Sequence, residues 1–399
     1  MSMLSKVLSF FSGGGRTPGY QSSQPSGGRL TSRTVSADTA MQLSAVFACV
    51  RLIAETIAGL PLLFYKLQSD GTRKRDTSHP LYKLLSGKPN RYQTRVEFFE
   101  TVLMQLALHG NAYILITRSG KQIISLLPLM SIQMAVKMDT EGNVTYEYND
   151  GRNLAVYAPE SIWHIKLMGN GLIGMSPLDY ARNSIGVAIS AEDRVNKMAN
   201  NGFKPSGVLM IDKVLKPEQR TAIRTAFSDL AEGGDDALKV LEAGMTYQQV
   251  SMNPKDVQLL ETRRFQLEDI ARFFGVPSVL INDTASSTVW GSGVAQIVQG
   301  FYKLGLRPYL ERIESSVEIW LLSLEERSTI QVEFDFDALL RGDTAARYEV
   351  YKEAVQNGLK TVNECRKAEG DPPLLGGDLP RMQQQMVPLT ASGNSNVEE

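Results

Sequence analysis

The stretch NPKDVQLLETRRFQLEDIARFFGVPSVLINDTASSTVWGSGVAQIVQGFYKLGLRPYLERIESSVEIWLL, from Asn253 to Leu322, decides the fold of the chain. It predicts a helix marked at both ends. Asn253 stands at the N-cap, Pro254 at the first helical position, and Asp256 in the first turn, where the positive end of the helix dipole favours an acid. Gly275 supplies a left-handed residue just past the end, and Pro277 follows. Between these stops Val257, Leu260, Leu267, Ile270, Ala271 and Phe274 form an apolar stripe at helical spacing. The other faces carry Glu261, Arg263, Arg264, Glu268, Asp269 and Arg272, with Arg264–Glu268 and Glu268–Arg272 spaced to pair. Asn282 to Gly293 is a loop of small polar residues around Trp290. A longer amphipathic pattern then starts at Val294, with a kink expected at Gly305 and Pro308.

Upstream the pattern changes several times. Gly13 to about Arg33 is rich in Gly, Ser and Thr with few core formers, which predicts a flexible arm. Ser36 caps a helix expected to reach about Gly59. Leu60–Leu67 reads as a strand followed by an Asp70–Gly71 turn, and His79-Pro-Leu opens a short helix that Gly87 and Pro89 end. Thr94-Arg-Val-Glu97 is a capping box for a helix running to His109, stopped by Gly110. From Ala112 to Ile165 the period moves towards two, with strands at Tyr113–Thr117, Ile123–Leu127, Ile132–Lys137, Val144–Tyr148 and Ile162–Ile165. This half is an α+β unit on a mostly antiparallel sheet.

Ser176, with Pro177 and Asp179 behind it, caps a long helix to about Asn201. A compact insert follows: a strand Gly207–Ile211, a helix Pro217–Leu230, and strands near Leu238–Leu241 and Tyr247–Met252. Because helices flank it on both sides, the insert is expected at the tip of a helical stalk. Later, Thr329–Phe336 reads as a strand and Thr344–Asn357 and Thr361–Glu369 as helices, the second opened by the box Thr361-Val-Asn-Glu364. Beyond Leu379 the Gln-, Ser- and Asn-rich chain is expected to be disordered.

With 399 residues, 43% of them hydrophobic, the chain can bury substantial cores in two or three domains. A net charge of −1 excludes the basic footprint of a protein that grips phosphates. Cys49 and Cys365 lie far apart and outside any metal-type pair, which points to a reducing compartment. Leu43–Leu63 is apolar but interrupted by Arg51 and Glu55, so no membrane span is expected. The run Val7–Phe11 is too brief for a secretory signal. A soluble protein made in the cytoplasm is the expectation.

Catalytic signals are thin. Gly169-Asn-Gly-Leu-Ile-Gly174 satisfies G-x-G-x-x-G, but the acidic residue a dinucleotide site needs would fall at Glu192, inside a helix, so a strand-to-helix turn is the better reading. Glu333, Asp335 and Asp337 alternate onto one face of a strand, where they would either bind a divalent cation or form a solvated face. His79, His109 and His164 show no ligand spacing. Neither a Walker-type loop nor a G-x-S-x-G elbow is present. No cofactor or metal is expected.

Helix, small-residue loop and kinked long helix, in this order, resemble the portal proteins of tailed bacteriophages, in particular those of long, non-contractile-tailed phages. The likeness is carried by Leu260–Glu261, Glu268-Asp-Ile-Ala-Arg-Phe-Phe-Gly-Val-Pro277, Phe301–Tyr302 with Leu306-Arg-Pro308, Phe334-Asp-Phe-Asp337 with Leu340-Arg-Gly-Asp343, and Asn363–Glu364 before Gly376-Gly-Asp378. It covers nearly the whole chain beyond Ser36.

The resemblance implies a non-enzymatic ring, commonly a dodecamer, at one capsid vertex of the virion, assembled in the host bacterial cytoplasm. Its implied partners are double-stranded DNA held without sequence preference, the large terminase subunit, a head-tail adaptor, and the major capsid protein or scaffold, with no membrane. Residues 1–35 would be an arm, 36–175 and 294–336 a wing, 176–202 and 253–277 paired stem helices, and 203–252 a clip. Residues 278–293 would be a tunnel loop, 337–380 a helical crown and 381–399 a tail. On this mapping Ser286, Ser287, Thr288, Trp290 and Ser292 line the DNA channel, while Arg263, Arg264, Glu268, Asp269 and Arg272 either pair between neighbouring stems or form solvated helix faces. The loop departs from the family pattern in lacking an acidic residue across Thr288-Val-Trp-Gly-Ser-Gly-Val-Ala-Gln296. Trp290 therefore either lines the constriction or anchors the loop from beneath. The alternative class is a metal-dependent nucleic-acid-processing enzyme built on Glu333, Asp335 and Asp337.

Overall fold

The structure is a computed structural model and describes residues 35–200, 207–211, 217, 221, 245–249, 265–281, 292–336 and 344–380. It opens with α1 (Ala37–Met41) and α2 (Ser44–Gly59). Ser36 caps α1 in a box with Thr39. The single helix expected here is interrupted because Leu43 turns extended and buries its side chain before Ser44 resumes the helix. Strand β1 (Leu62–Leu67) forms a hairpin with β2 (Arg73–Arg75), and Gly71 takes φ 82° in the turn. β2 escaped the sequence reading because its exposed cations show no apolar alternation.

Helices α3 (Pro80–Ser86) and α4 (Arg95–His109) come next. Thr94 and Glu97 make the expected capping box, and Gly110 closes α4 at φ 69° by returning its N–H to the Leu106 carbonyl. Then come β3 (Asn111–Ser119), β4 (Gln122–Leu129), β5 (Met134–Met138), β6 (Val144–Asn149), β7 (Leu154–Tyr157) and β8 (Ile162–Lys166). They form two antiparallel sheets, in the orders β4-β3-β8 and β5-β6-β7. β5 starts later than expected because Ser131–Gln133 is pinned as a 3-10 turn. Gln105 Oε1 accepts the Ser131 N–H at 2.6 Å, and Ser131 Oγ donates to the Asn111 carbonyl at 2.7 Å.

The long helix expected from Ser176 is two, α5 (Pro177–Tyr180) and α6 (Arg182–Asn200), with the bend at the fully buried Ala181. β9 (Gly207–Ile211) pairs antiparallel with β10 (Met245–Gln249). Apart from residues 217 and 221, the predicted Pro217–Leu230 helix lies outside the described residues, as do the strand near Leu238 and the N-cap at Asn253. The described end of the following helix, α7 (265–274), leads through a 3-10 turn (Ser278–Ile281). Beyond are α8 (Ser292–Gly300), a π-helical turn (Phe301–Leu306) and α9 (Arg307–Trp320).

Strand β11 (Ile330–Phe334) returns to β1, completing the sheet β11-β1-β2. It is shorter than expected because Phe336 folds back to donate its N–H to the Phe334 carbonyl. The outer edge of β11 is met by α9, where Glu314 accepts the Phe334 N–H at 2.7 Å and Glu318 the Val332 N–H at 3.3 Å. Helices α10 (Thr344–Gln356) and α11 (Val362–Glu369) follow, the latter with its expected Thr361–Glu364 box.

One large core draws on α1 to α4, β1, β3, β8, α6, α7, α9 and β11. Trp163, fully buried on β8, donates its indole N–H to Ser316 Oγ of α9 at 2.8 Å, tying sheet to helix. A smaller core of Tyr113, Leu129, Met134, Val136, Tyr146 and Ile162 lies between the two antiparallel sheets. Among the described residues no helix is long and apolar enough to cross a membrane. The class is α+β, as expected.

Candidate functional site

Of the predicted site residues the structure describes Glu268, Asp269 and Arg272 on α7, which packs against α6, and Ser292 at the start of α8. Ile185, Ala188 and Ile189 from α6 and Ile270, Ala271 and Phe274 from α7 are all buried in the main core. A polar bridge joins the helices: Ser184 Oγ donates to Asp269 Oδ2. Arg272 reaches back to the same carboxylate, 2.9 Å from Oδ1. Asp269 is thus engaged within the subunit, while Arg272 keeps 67% of its side chain exposed. Glu268 is half-buried on the same helix. Arg263 and Arg264 lie outside the described residues.

α7 ends as its sequence requires. Gly275 adopts φ 67°, its N–H returning to the Arg272 carbonyl and the Val276 N–H to that of Ala271. These two bonds close a Schellman motif. The irregularity expected at Gly305 and Pro308 takes the form of the π-helical turn, in which Arg307 donates to the Tyr302 carbonyl. Pro308 has no N–H to offer and sits in the first turn of α9, so widening the preceding turn accommodates it. Gly305 has a separate reason: a Cβ there would stand 2.7 Å from the Phe301 ring and 3.2 Å from the Gly275 carbonyl. The π turn therefore backs directly onto the cap of α7. Between them runs a groove of about 620 Å³, walled mainly by Phe273, Phe274, Pro277, Ile297, Phe301 and Leu304. Ser286, Ser287, Thr288 and Trp290 lie outside the described residues, and Ser292 opens α8.

The enzyme-like signals disperse. Gly169 and Gly174 form an isolated antiparallel bridge between β8 and α5. A Cβ would come within 2.0 Å of the Ile173 carbonyl at Gly169 and within 2.1 Å of the Gly110 carbonyl at Gly174. These glycines let backbones cross, as a strand-to-helix turn demands. Glu333 accepts from Arg73 at 2.6 Å, Asp335 falls beyond the end of β11, and Asp337 lies outside the described residues. Among the described residues no three His, Cys, Asp or Glu side chains gather as a metal site. His79 caps α3, its Nδ1 accepting the Leu81 N–H, and stacks on Phe64.

Asn111, which the sequence reading passed over, is a buried hub. Its Oδ1 accepts the Gly174 N–H at 2.7 Å and lies 3.0 Å from His164 Nε2, while its Nδ2 donates to the carbonyls of His109 and Gly174. His164 stacks on Tyr113 and is 3.3 Å from Tyr146 Oη. Burial, with nearby Lys166 second, holds the His164 imidazole well below its usual range, and burial pushes the Tyr146 phenol up to about 12. The available signal was an amide straight after Gly110, at the head of the apolar run Ala112–Ile116.

The fold is similar to that of chains from the necks of gene transfer agent particles. A chain in the neck of an empty gene transfer agent (GTA) particle, computed with C6 symmetry, is 25% identical with a TM-score of 0.61, covering 86% of this chain and 97% of that one. One from the neck of the native GTA particle, computed with C12 symmetry, is 24% identical with a TM-score of 0.61, over 94% and 100%. The sequence comparisons narrow the class. The family profile for phage portal proteins matches residues 44–370. The portal protein of Enterobacteria phage HK97 is 38% identical over 98% of this chain and 94% of its own length, and a probable portal protein of Streptomyces phage phiC31 is 34% identical over 86% and 78%. The chain belongs to the phage portal protein family, whose members are structural parts of the virion.

Proposed function

We propose that copies of this chain close into a ring of twelve at one capsid vertex, with double-stranded DNA passing through the central channel during packaging and ejection. The observation that carries this reading is the family match over residues 44–370. In the ring, 176–202 and 253–277 are the paired stem helices, 203–252 the clip, 278–293 the tunnel loop, 36–175 with 294–336 the wing, and 337–380 the crown. The Ser184–Asp269 bridge supports this mapping by holding α6 against α7 within one subunit. The set Arg263, Arg264, Glu268, Asp269 and Arg272 then meets the neighbouring stem, and Ser286, Ser287, Thr288, Trp290 and Ser292 face the channel. Closed rings need two different faces per subunit.

A polyanion that must slide is slowed by each phosphate it leaves bound, so a chain of net charge −1 suits passage without sequence preference. The clip takes the large terminase subunit and later the head-tail adaptor, and the wing seats in the major capsid protein or its scaffold. The motor supplies the work, and this chain performs no catalytic step.

Negative-stain electron microscopy with native mass measurement tests the reading. Rings with a channel roughly 20 Å wide or more, on the scale of duplex grooves, are expected. A stable closed dimer that never forms rings, with capsid protein or scaffold present or not, overturns it. Trp290→Ala separates two roles: intact rings with altered packaging put Trp290 at the constriction, whereas loss of rings makes it an anchor.

A further inference from the structure

Residues 134–157 build the β5-β6-β7 sheet as one continuous segment, set between two 3-10 turns, Ser131–Gln133 and Pro159–Ser161. An unbroken stretch of this kind can part from the body without unthreading any other strand. Its buried apolar contact is small: Met134, Val136 and Tyr146 meet Tyr113, Leu129 and Ile162 of the β4-β3-β8 sheet, apart from the main core. At that junction stands the His164 imidazole, 2% exposed, stacked on Tyr113 at 4.3 Å and edge-on to Tyr146 at 5.7 Å.

The bonds around the ring fix where its proton sits. Asn111 Oδ1 accepts the Gly174 N–H and its Nδ2 donates to two backbone carbonyls, so this amide has one orientation. Nε2, 3.0 Å from that Oδ1, therefore carries the hydrogen, and Nδ1 accepts from the Tyr146 hydroxyl 3.3 Å away. The second bond crosses from β8 to β6 and joins the two sheets. A further proton on Nδ1 would make the Tyr146 oxygen an acceptor, turn the phenol hydrogen into the apolar interior, and leave a charge in a dry layer.

Among the described residues no carboxylate is turned to meet that charge. β3 presents Asn111 and Tyr113, and β6 presents Tyr146. Glu147 alternates to the opposite face of β6, where Lys137 lies 2.7 Å from it. Glu160 in the second 3-10 turn is exposed, and the 169–174 crossing has no charged side chain. α4 ends in His109, itself kept neutral by burial. α9, on the Trp163 face of β8, contributes Arg312, which donates to the Lys166 carbonyl. Burial first, and Lys166 on the same strand second, hold the His164 imidazole below its usual range.

We propose that His164 is an acid-sensitive latch: a proton on its Nδ1 frees the β5-β6-β7 layer from the β4-β3-β8 sheet while the main core stays closed. Once released, the ring meets water and titrates at its ordinary value. Release is therefore favoured as pH falls below about 6.5, by at most about tenfold per pH unit. The latch lies inside one subunit and is independent of the ring reading.

The test is amide hydrogen exchange of the full chain between pH 7.5 and 5, read by mass spectrometry and corrected for the intrinsic rate at each pH. Protection of 134–157 should fall by up to about tenfold per pH unit below 6.5, while α2 and α4 keep theirs. His164→Gln should flatten that fall and His109→Gln should leave it. Protection that does not vary with pH, that falls in step in α2 and α4, or that falls equally in His164→Gln overturns the proposal. Should His164→Gln fail to fold, Tyr146→Phe decides. It should lower protection of 134–157 at pH 7.5 by roughly two- to tenfold, the worth of one hydrogen bond, and no loss there overturns the latch.

Discussion

Around Asn111 both side-chain polar atoms face inward, joining the end of α4, the start of β3, the middle of β8 and the 169–174 crossing. Around Asp269 the same kinds of bond join α6 and α7, but Arg272, one partner, stands largely in water. The difference is what happens when a partner is removed. Atoms left without partners at Asn111 are sealed from solvent and carry the full desolvation cost. At Asp269 water replaces what is lost. The first cluster therefore fixes the shape of one subunit, while the second joins two helices at a margin open to water.

Four variants sharpen or break that contrast. Asn111→Leu should cost the most, about 4 kcal/mol, since each buried group left unpaired costs roughly 1–3 kcal/mol. A urea-midpoint loss equivalent to less than about 1 kcal/mol would break the comparison. Gly174→Ala comes next, at about 2–3 kcal/mol, because its Cβ would collide with the Gly110 carbonyl and the backbones must part.

A pH effect ranks third. Burial depresses both His164 and His109 below 6.5, so the folded chain keeps them neutral where the unfolded chain protonates them. Their contribution is complete above pH 6.5 and is lost as pH falls through that value, with a slope of at most about 1.4 kcal/mol per pH unit for each histidine. Unfolding midpoints of His164→Gln should fall less steeply between pH 6.5 and 5. An unchanged slope would mean that the hub imidazole does not stay neutral. Smallest is Asp269→Ala, expected to shift the subunit's own midpoint by under about 1 kcal/mol. A larger loss would make this bridge part of the subunit's frame.

Local signals were legible in the sequence and long-range ones were not. The boxes at Thr94 and Thr361 and the glycine stops at Gly110 and Gly275 depend only on residues a few positions apart, and each is found as read. Leu43 interrupts its helix because a distant core takes its side chain, and Ala181 bends another for a similar reason. Asn111 bonds residues far along the chain, so nothing near it announces its role beyond its being polar where neighbours are not. The Gly169–Gly174 stretch is the strand-to-helix turn its sequence predicts, but the Gly110 backbone that presses against it lies too far along the chain to be read there. At the candidate site, the charge pattern of α7 was plain, yet the choice of Asp269 as the bridge to Ser184 required the packing of α6.

The β11-β1-β2 sheet is closed at both margins by different means. On one side the Val332 and Phe334 N–H groups are already taken by Glu318 and Glu314. On the other, β2 presents exposed Lys74 and Arg75 beside Arg73, which pairs with Glu333, and like charges resist a matching strand. Identical sheets held side by side at high local density would otherwise be templates for one another. Carboxylates at one rim and cations at the other keep each sheet finite, so the same chain can be crowded against its copies without the β-structure running on from one into the next.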